Sequence, residues 1–457
     1  MPDKDLRRQV LGSTKTISRK ARSRVASGAS SKAASAANSR AESRNASRTV
    51  SRSASDDEEG NLSDDTNWST NSIDDILSSE DIDAPPDVWK AHLGDRMAEI
   101  IDRKRSSAEG RADALAAYAY QLKAHYAAED VERKLGELIP AITKSIRPGS
   151  SERETVMALK AIELTVITCP SDRIYDAVVR PVKAIINDSE SLICKVAAIH
   201  ALGTATFYGG ASLEETQDTM DYFLEIVESD GHSIDAGDQA APVVAALTEW
   251  GFLATQMDDL EDSTEPAMEA FVDQLDSADV SVQIAAGENI ALLYEKSCTE
   301  IEEDEEPSSE DEADDPHAAP GSTRMIKRYT VYRREDQLKH KLSALASLRP
   351  ESGRVSKKDR SRMRSNFSDI LNSVEHPTRG PHYSTAIDLD NRIYGSRMFV
   401  KISQYGEMKI DKWWKLFRLN ALRRSLQGGF ATHYEKNEVV FDSLPIMIQR
   451  RKPKDRK

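Results

Sequence analysis

Cations, rather than nucleophiles or metal ligands, are the groups that this sequence gathers at close spacing. Lys357, Lys358, Arg360, Arg362 and Arg364 fall within eight residues. Together they can neutralise phosphates, which is the chemistry of a polyanion contact. A second set, Lys412, Lys415, Arg418, Arg423 and Arg424, is interleaved with Trp413, Trp414, Leu416, Phe417 and Leu422. Aromatic rings beside guanidinium groups suit stacking on nucleotides; packing of both tryptophans in a core is the competing reading. The candidate nucleic-acid-binding residues are therefore Lys357, Lys358, Arg360, Arg362, Arg364, Lys415, Arg418, Arg423 and Arg424. Covalent chemistry has no comparable grouping. No phosphate-binding Gly-rich loop, zinc spacing, nucleophile elbow or kinase signature is found. Cys169, Cys194 and Cys298 stand far apart, and the acids are massed in runs. The expectation is a binding protein with no enzymatic activity, cofactor, metal or small-molecule substrate.

A helix over residues 355–375 has to position the first set. Met363, Phe367, Ile370, Leu371 and Val374 form one apolar stripe in its second half. Ser356, followed three residues later by Asp359, has the form of a helix-starting capping box. Cations in a first helical turn oppose the macrodipole at a cost of about 0.3–1 kcal/mol each. That cost points to an external polyanion, with a solvated basic turn as the plain alternative. The second set belongs to a helix that Asp411 can cap and that Gly428 and Gly429 end. Its charges are spread around the axis, so it is expected to pack on more than one side with long basic chains reaching out. A hairpin is expected between residues 399–402 and 408–410, a short strand over 329–332 and a helix over 334–348.

Two of these stretches carry a family resemblance. SKKDRSRMRSNFSDILNSVE and WWKLFRLNALRRSLQGGFATHYEKNEVVFDSLP resemble conserved segments of the interferon-related developmental regulator family. In the second, the family pattern is met by Trp413, Leu422, Gly428, His433, Asn437, Glu438 and Asp442. The resemblance spans residues 88–445, and residues 377–409 depart from it as a longer spacer. It implies proteins that lodge on idle ribosomes, fill the intersubunit space and block mRNA or tRNA. It also implies partners in corepressor and histone deacetylase complexes.

Between residues 88 and 297 the pattern is helical almost throughout, with breaks at 147–150, 169–171, 187–189, 209–212 and 258–263. Pro140 and Pro181 fall inside helical patterns, so kinks or breaks are expected there. The triplets Val156-Met157-Ala158, Val196-Ala197-Ala198, Val244-Ala245-Ala246 and Ile284-Ala285-Ala286 begin 40, 48 and 40 residues apart. Seven residues after each start stand Glu163, Gly203, Gly251 and Ala291. The period fits HEAT or armadillo repeats, whose helix pairs stack into an elongated concave surface. His200 and Trp250 read as packing residues. The fold class is all-α: an armadillo/HEAT-like α-solenoid followed by a small basic, mostly helical C-terminal module.

Charge is strongly segregated along the chain. Residues 1–55 hold 13 basic and 3 acidic residues, and residues 56–88 hold 12 acids and no base. Residues 89–299 hold 18 basic and 37 acidic residues; residues 300–323 hold 11 acids and no base; residues 324–457 hold 31 basic and 14 acidic residues. Five segments follow: a disordered Ser/Arg-rich then acidic tail (1–85), the repeat domain (86–299), a disordered acidic linker (300–323), the basic module (324–445) and a basic tail (446–457). Serines beside arginines in the tail, and Ser308 and Ser309 among the acids of the linker, are expected phosphorylation sites. The most apolar window, residues 240–255, is broken by Glu249 and too short to span a bilayer. With no signal-peptide core at the start, an intracellular protein is expected, cytoplasmic and in part nuclear.

Two functions fit. In the first, the basic module binds rRNA while the acidic array meets basic ribosomal proteins, and translation is inhibited by steric occlusion. In the second, the protein is a nuclear transcriptional co-regulator that scaffolds corepressor and histone deacetylase complexes. Neither reading requires a membrane.

Overall fold

The structure, a computed structural model, describes residues 86–103, 106–147, 150–301, 325–347, 356–383, 386–387, 393–394, 398–401 and 407–444. The N-terminal tail, nearly all of the acidic linker and the basic C-terminal tail lie outside the described residues.

Helices α1 (Pro86–Asp102), α2 (Ala108–Ala124), α3 (Ala128–Glu132), α4 (Leu135–Thr143), α5 (Glu152–Thr168) and α6 (Ile174–Asp188) open the array. They are followed by α7 (Leu192–Tyr208), α8 (Leu213–Glu228), α9 (Ala240–Ala254), α10 (Glu261–Gln274) and α11 (Val280–Lys296). Polar side chains set many of the starts. Ser107, Ser151, Ser191 and Ser212 accept a backbone N–H at the first turns of α2, α5, α7 and α8, and Asp279 does so for α11. Each such cap contributes on the order of 1 kcal/mol. Pro140 and Pro181 sit inside α4 and α6, and neither ends its helix.

The helices alternate between two layers. In one, α2, α5, α7, α9 and α11 pack side by side; in the other, α1, α4 and α6 do, then α8 and α10. Neighbours across the layers bury the apolar stripes, as in the all-α solenoid expected from the repeat. The irregular spacing of 48 residues has a local cause: a loop with a 3-10 turn at His232–Ile234 that packs against α6 and α8. Gly231 turns into it at φ +81°, a conformation glycine adopts without steric penalty. Lys195, buried in α7, secures it by donating to the carbonyls of Ile186 (2.8 Å), Asn187 (2.9 Å) and Ile234 (2.6 Å).

Strands β1 (Cys298–Glu300) and β2 (Met325–Lys327) pair antiparallel. The strand expected over 329–332 therefore lies a few residues earlier, because the partner strand begins at Cys298, which pairs with Lys327. Next, α12 (Glu335–Ala346) and α13 (Lys357–Glu375) form one more hairpin of helices, with α13 packed on α11. Two short hairpins follow, β3 (Ala386–Ile387) with β4 (Ile393–Tyr394), and β5 (Phe399–Lys401) with β6 (Glu407–Lys409). The second is the expected hairpin, with Val400 opposite Met408.

The remaining helices, α14 (Trp413–Leu426), α15 (Phe430–Lys436) and α16 (Glu438–Ser443), lie as a strap on the α2–α11 layer. Helix α14 crosses α11, α9 and α5, and the 3-10 turn Gln427–Gly429 reaches α2. Asp411 does not cap α14; Lys412 holds that position without a side-chain bond, and the helix ends at Gln427, φ +46°, one residue before the glycines. A buried acid replaces the missing cap. Glu295 of α11 accepts the backbone N–H groups of Trp413 (2.8 Å) and Trp414 (3.1 Å), where the positive end of the helix dipole favours a carboxylate.

Candidate polyanion-binding surface

The nine candidate cations divide into two environments. Helix α13 is held by its apolar stripe: Met363, Phe367, Ile370 and Val374 are buried and Leu371 half-buried. Gly287 of α11 lets Ile370 and Phe367 approach; a Cβ there would lie 2.7 Å from Ile370 Cδ1. At the start, Ser356 accepts the Asp359 N–H at 3.1 Å and donates to its carboxylate at 2.6 Å. In between, Lys358 and Arg364 are exposed and Arg360 and Arg362 half-buried. These four side chains stand on the half of α13 that precedes its main docking residues. Lys357 is the first residue of the helix.

On α14 the geometry is different. Lys415 is paired with Asp411 at 2.6 Å. Arg418 lies between the rings of Trp414 and Phe207, 5.0 and 5.3 Å from their centroids, and donates to Thr255 Oγ1 and to the Thr255 carbonyl at 2.9 Å each. Burial pulls its guanidinium pKa down. Arg424 reaches inward to pair with Glu249. Of the α14 candidates only Arg423 is exposed. Three of the nine are thus engaged inside the molecule, which differs from the expectation that they reach outward. Each has its own cause: the buried Glu249 carboxylate draws Arg424 inward, two rings and Thr255 hold Arg418, and Asp411 holds Lys415.

The centre of that contact is a buried ionic cluster. Glu249, fully buried in α9, receives Arg424 and the Nδ1–H of His200 (2.7 Å). Beside it, Glu163 accepts from Lys160 (3.0 Å) and from the Ser425 hydroxyl (3.1 Å), and Lys160 also donates to the Arg424 carbonyl (3.2 Å). Burial alone would push the Glu163 carboxyl up, but Lys160, Arg424 and His200 together hold it below the ordinary range. Burial, with Arg424 next to it, pulls the His200 imidazole down, against the pull of Glu249. Further along the strap, His433 donates Nε2–H to the Leu122 carbonyl (2.7 Å), Asn437 donates to Ile167 (2.8 Å) and Lys123 to Gln427 Oε1 (2.8 Å). Sequence reasoning missed this cluster. The available signal was Glu163, an acid at the repeat position where Gly203, Gly251 and Ala291 stand.

Glu288, half-buried on α11, feels the charge of Arg362 on the cationic helix. Burial pushes its carboxyl up to about 7, against the pull of Arg362, from an ordinary value of 4.5. Between those values the native chain keeps a proton that the unfolded chain has lost. The resulting stability is full below about 4.5 and is lost as pH rises through about 7. Glu288→Gln is therefore expected to raise Tm more at pH 8 than at pH 5. Equal shifts at the two pH values would contradict this.

Among the described residues there is no cluster of metal-ligating side chains, and no helix is long and apolar enough to cross a membrane. The family model for interferon-related developmental regulators matches residues 49–375, more than half of the chain. The match ends at the last residue of α13, so it takes in the cationic helix and leaves the strap beyond it. An uncharacterized protein of Schizosaccharomyces pombe is 25% identical over 358 residues, 77% of this chain and 74% of the relative.

Proposed function

The chain belongs to the interferon-related developmental regulator family, and from that premise we propose that this regulator is a non-enzymatic ribosome-binding protein that inhibits translation by steric occlusion. The observation that carries the reading is the cationic half of α13. Lys358, Arg360, Arg362 and Arg364 project from a helix that Met363, Phe367, Ile370 and Val374 fix by burial. Cations gathered on one docked helix can neutralise several rRNA phosphates at once. Arg423 is a further exposed cation, on the strap. The acidic array is suited to basic ribosomal proteins, and the protein acts mainly in the cytoplasm.

Co-sedimentation with purified ribosomes across a salt series tests this. Four to five neutralised phosphates imply that log K falls against log salt with a slope of roughly −3 to −4.5. Reversing Lys358, Arg360 and Arg364 to Glu is expected to leave the chain in the supernatant at salt concentrations where the wild type pellets. Arg362 is left intact because its charge acts on Glu288. Association indifferent to salt, or to the three reversals, would sink the reading. A wild type that never pellets would move the nuclear co-regulator with corepressor partners to first place. The open cleft between α8 and α10, lined by Asp221, Asp259, Glu261 and Asp262, would then be the surface to examine for a basic chromatin protein.

A further inference from the structure

Two exposed hydroxyls, Ser361 and Ser365, lie within the cationic run of α13. Ser361 follows Lys357 and Lys358 at four and three residues and Arg360 at one; Ser365 follows Arg362 at three and Arg364 at one. Kinases that select substrates by charge pattern read cations at such offsets with an acidic cleft. By sequence the two serines are equally good acceptors. What separates them is how the helix is docked. From Ser356 to Arg362 every described side chain is exposed or half-buried, and the first buried one is Met363. That turn and a half buries no described side chain, so it can open locally without exposing core. Ser365 lies between Met363, 2% exposed, and Phe367, 0% exposed. Presenting it to a kinase means withdrawing both from the array.

We propose that Ser361 is a phosphoacceptor for a basophilic protein kinase and that its modification turns off the cationic face; the second half rests on the rRNA reading above. In the transfer, Ser361 Oγ bonds to the γ-phosphorus of a nucleoside triphosphate as the bond from that phosphorus to the β–γ bridging oxygen breaks. A nucleoside diphosphate leaves, and the hydroxyl proton passes to a carboxylate of the kinase. The product carries about −1.5 to −2 charges. It stands three residues from both Lys358 and Arg364, the spacing at which helical side chains meet. It therefore competes with rRNA for those cations and cancels about half the charge of the four that project.

The test uses the full chain, the catalytic subunit of a cyclic-AMP-dependent kinase, Mg-ATP and site-resolved mass spectrometry. Ser361 is expected to be labelled at least about tenfold faster than Ser365, because apolar burial holds the latter down. Met363→Ala is expected to raise labelling at Ser365. No label at Ser361, or equal labelling of both serines in the unaltered chain, overturns the acceptor assignment. Phosphorylated protein is then expected to bind ribosomes on the order of tenfold more weakly, and kinase-treated Ser361→Ala as well as untreated wild type. Unchanged binding, with the triple charge reversal abolishing it, overturns the switch. Absence of wild-type binding condemns the rRNA reading instead, and the mapped phosphate still decides the acceptor site.

Discussion

Replacing Glu249 by Gln is expected to destabilise the chain by about 3–5 kcal/mol, the cost of breaking a buried ion pair by removing one partner. Glu249 is 0% exposed, and its Oε1 receives both Arg424 and His200. Glutamine keeps the volume and removes the charge. Arg424 is then left with its guanidinium against the strap contact, near Lys160, whose charge it already disfavours. Gly203 offers no relief, since it lies directly against the Glu249 carboxylate; a Cβ there would overlap it. Adding Arg424→Met should recover most of the loss, because it removes the cation left without its counter-charge. Denaturant unfolding of the two single variants and the double variant measures this. A loss below about 1 kcal/mol for Glu249→Gln would show that the pair does not hold the strap.

Gly251→Leu is expected to lift α14 from the array, at a cost of about 3 kcal/mol or more. A Cβ on Gly251 would overlap the Phe417 ring and the Asn289 side-chain oxygen. Neither can give way. Phe417 is buried, and the Asn289 amide is fixed by its bonds to the Leu247 carbonyl (2.9 Å) and the Ala285 carbonyl (2.8 Å). Lifting α14 uncovers Leu416, Leu419 and Leu422, so limited proteolysis should cut the strap in the variant long before it cuts the wild type. Gly94→Ala is the control. Nothing lies within 4 Å of the added carbon there, and alanine inside α1 should stabilise by roughly 0.5–1 kcal/mol. A strap as protease-resistant as wild type in Gly251→Leu would refute the close approach.

The sequence showed the array through local signals and concealed the strap because its logic is long-range. Alanine triplets at 40, 48 and 40 residues mark α5, α7, α9 and α11, and the odd spacing marks the loop that Lys195 secures. Helix α13 was equally legible, since its stripe and Ser356 cap lie within one short stretch. For α14, no stripe distinguishes inside from outside: apolar and basic residues alternate around the axis. Lys415, Arg418 and Arg424 therefore read as outward-facing, although Arg418 and Arg424 answer Thr255 and Glu249. A clue did exist. Between Val196 and Glu295 there is no Lys or Arg at all, so an acid in an apolar helix such as Glu249 must take its counter-charge from a distant part of the chain. Which cation answers is a question of tertiary geometry, beyond any periodicity.

Arrays of helical repeats ordinarily come apart piecemeal from their ends, because each repeat touches only its neighbours. The strap changes that. One continuous segment meets α11 through Glu295, α9 through Glu249, α5 through Glu163 and α2 through Leu122 and Lys123. Opening α2 forfeits bonds to the same segment that keeps α11 in place. The terminal pairs thus cannot fray independently of the middle, and the molecule is built to melt all or none, as a compact single domain does, rather than one repeat at a time.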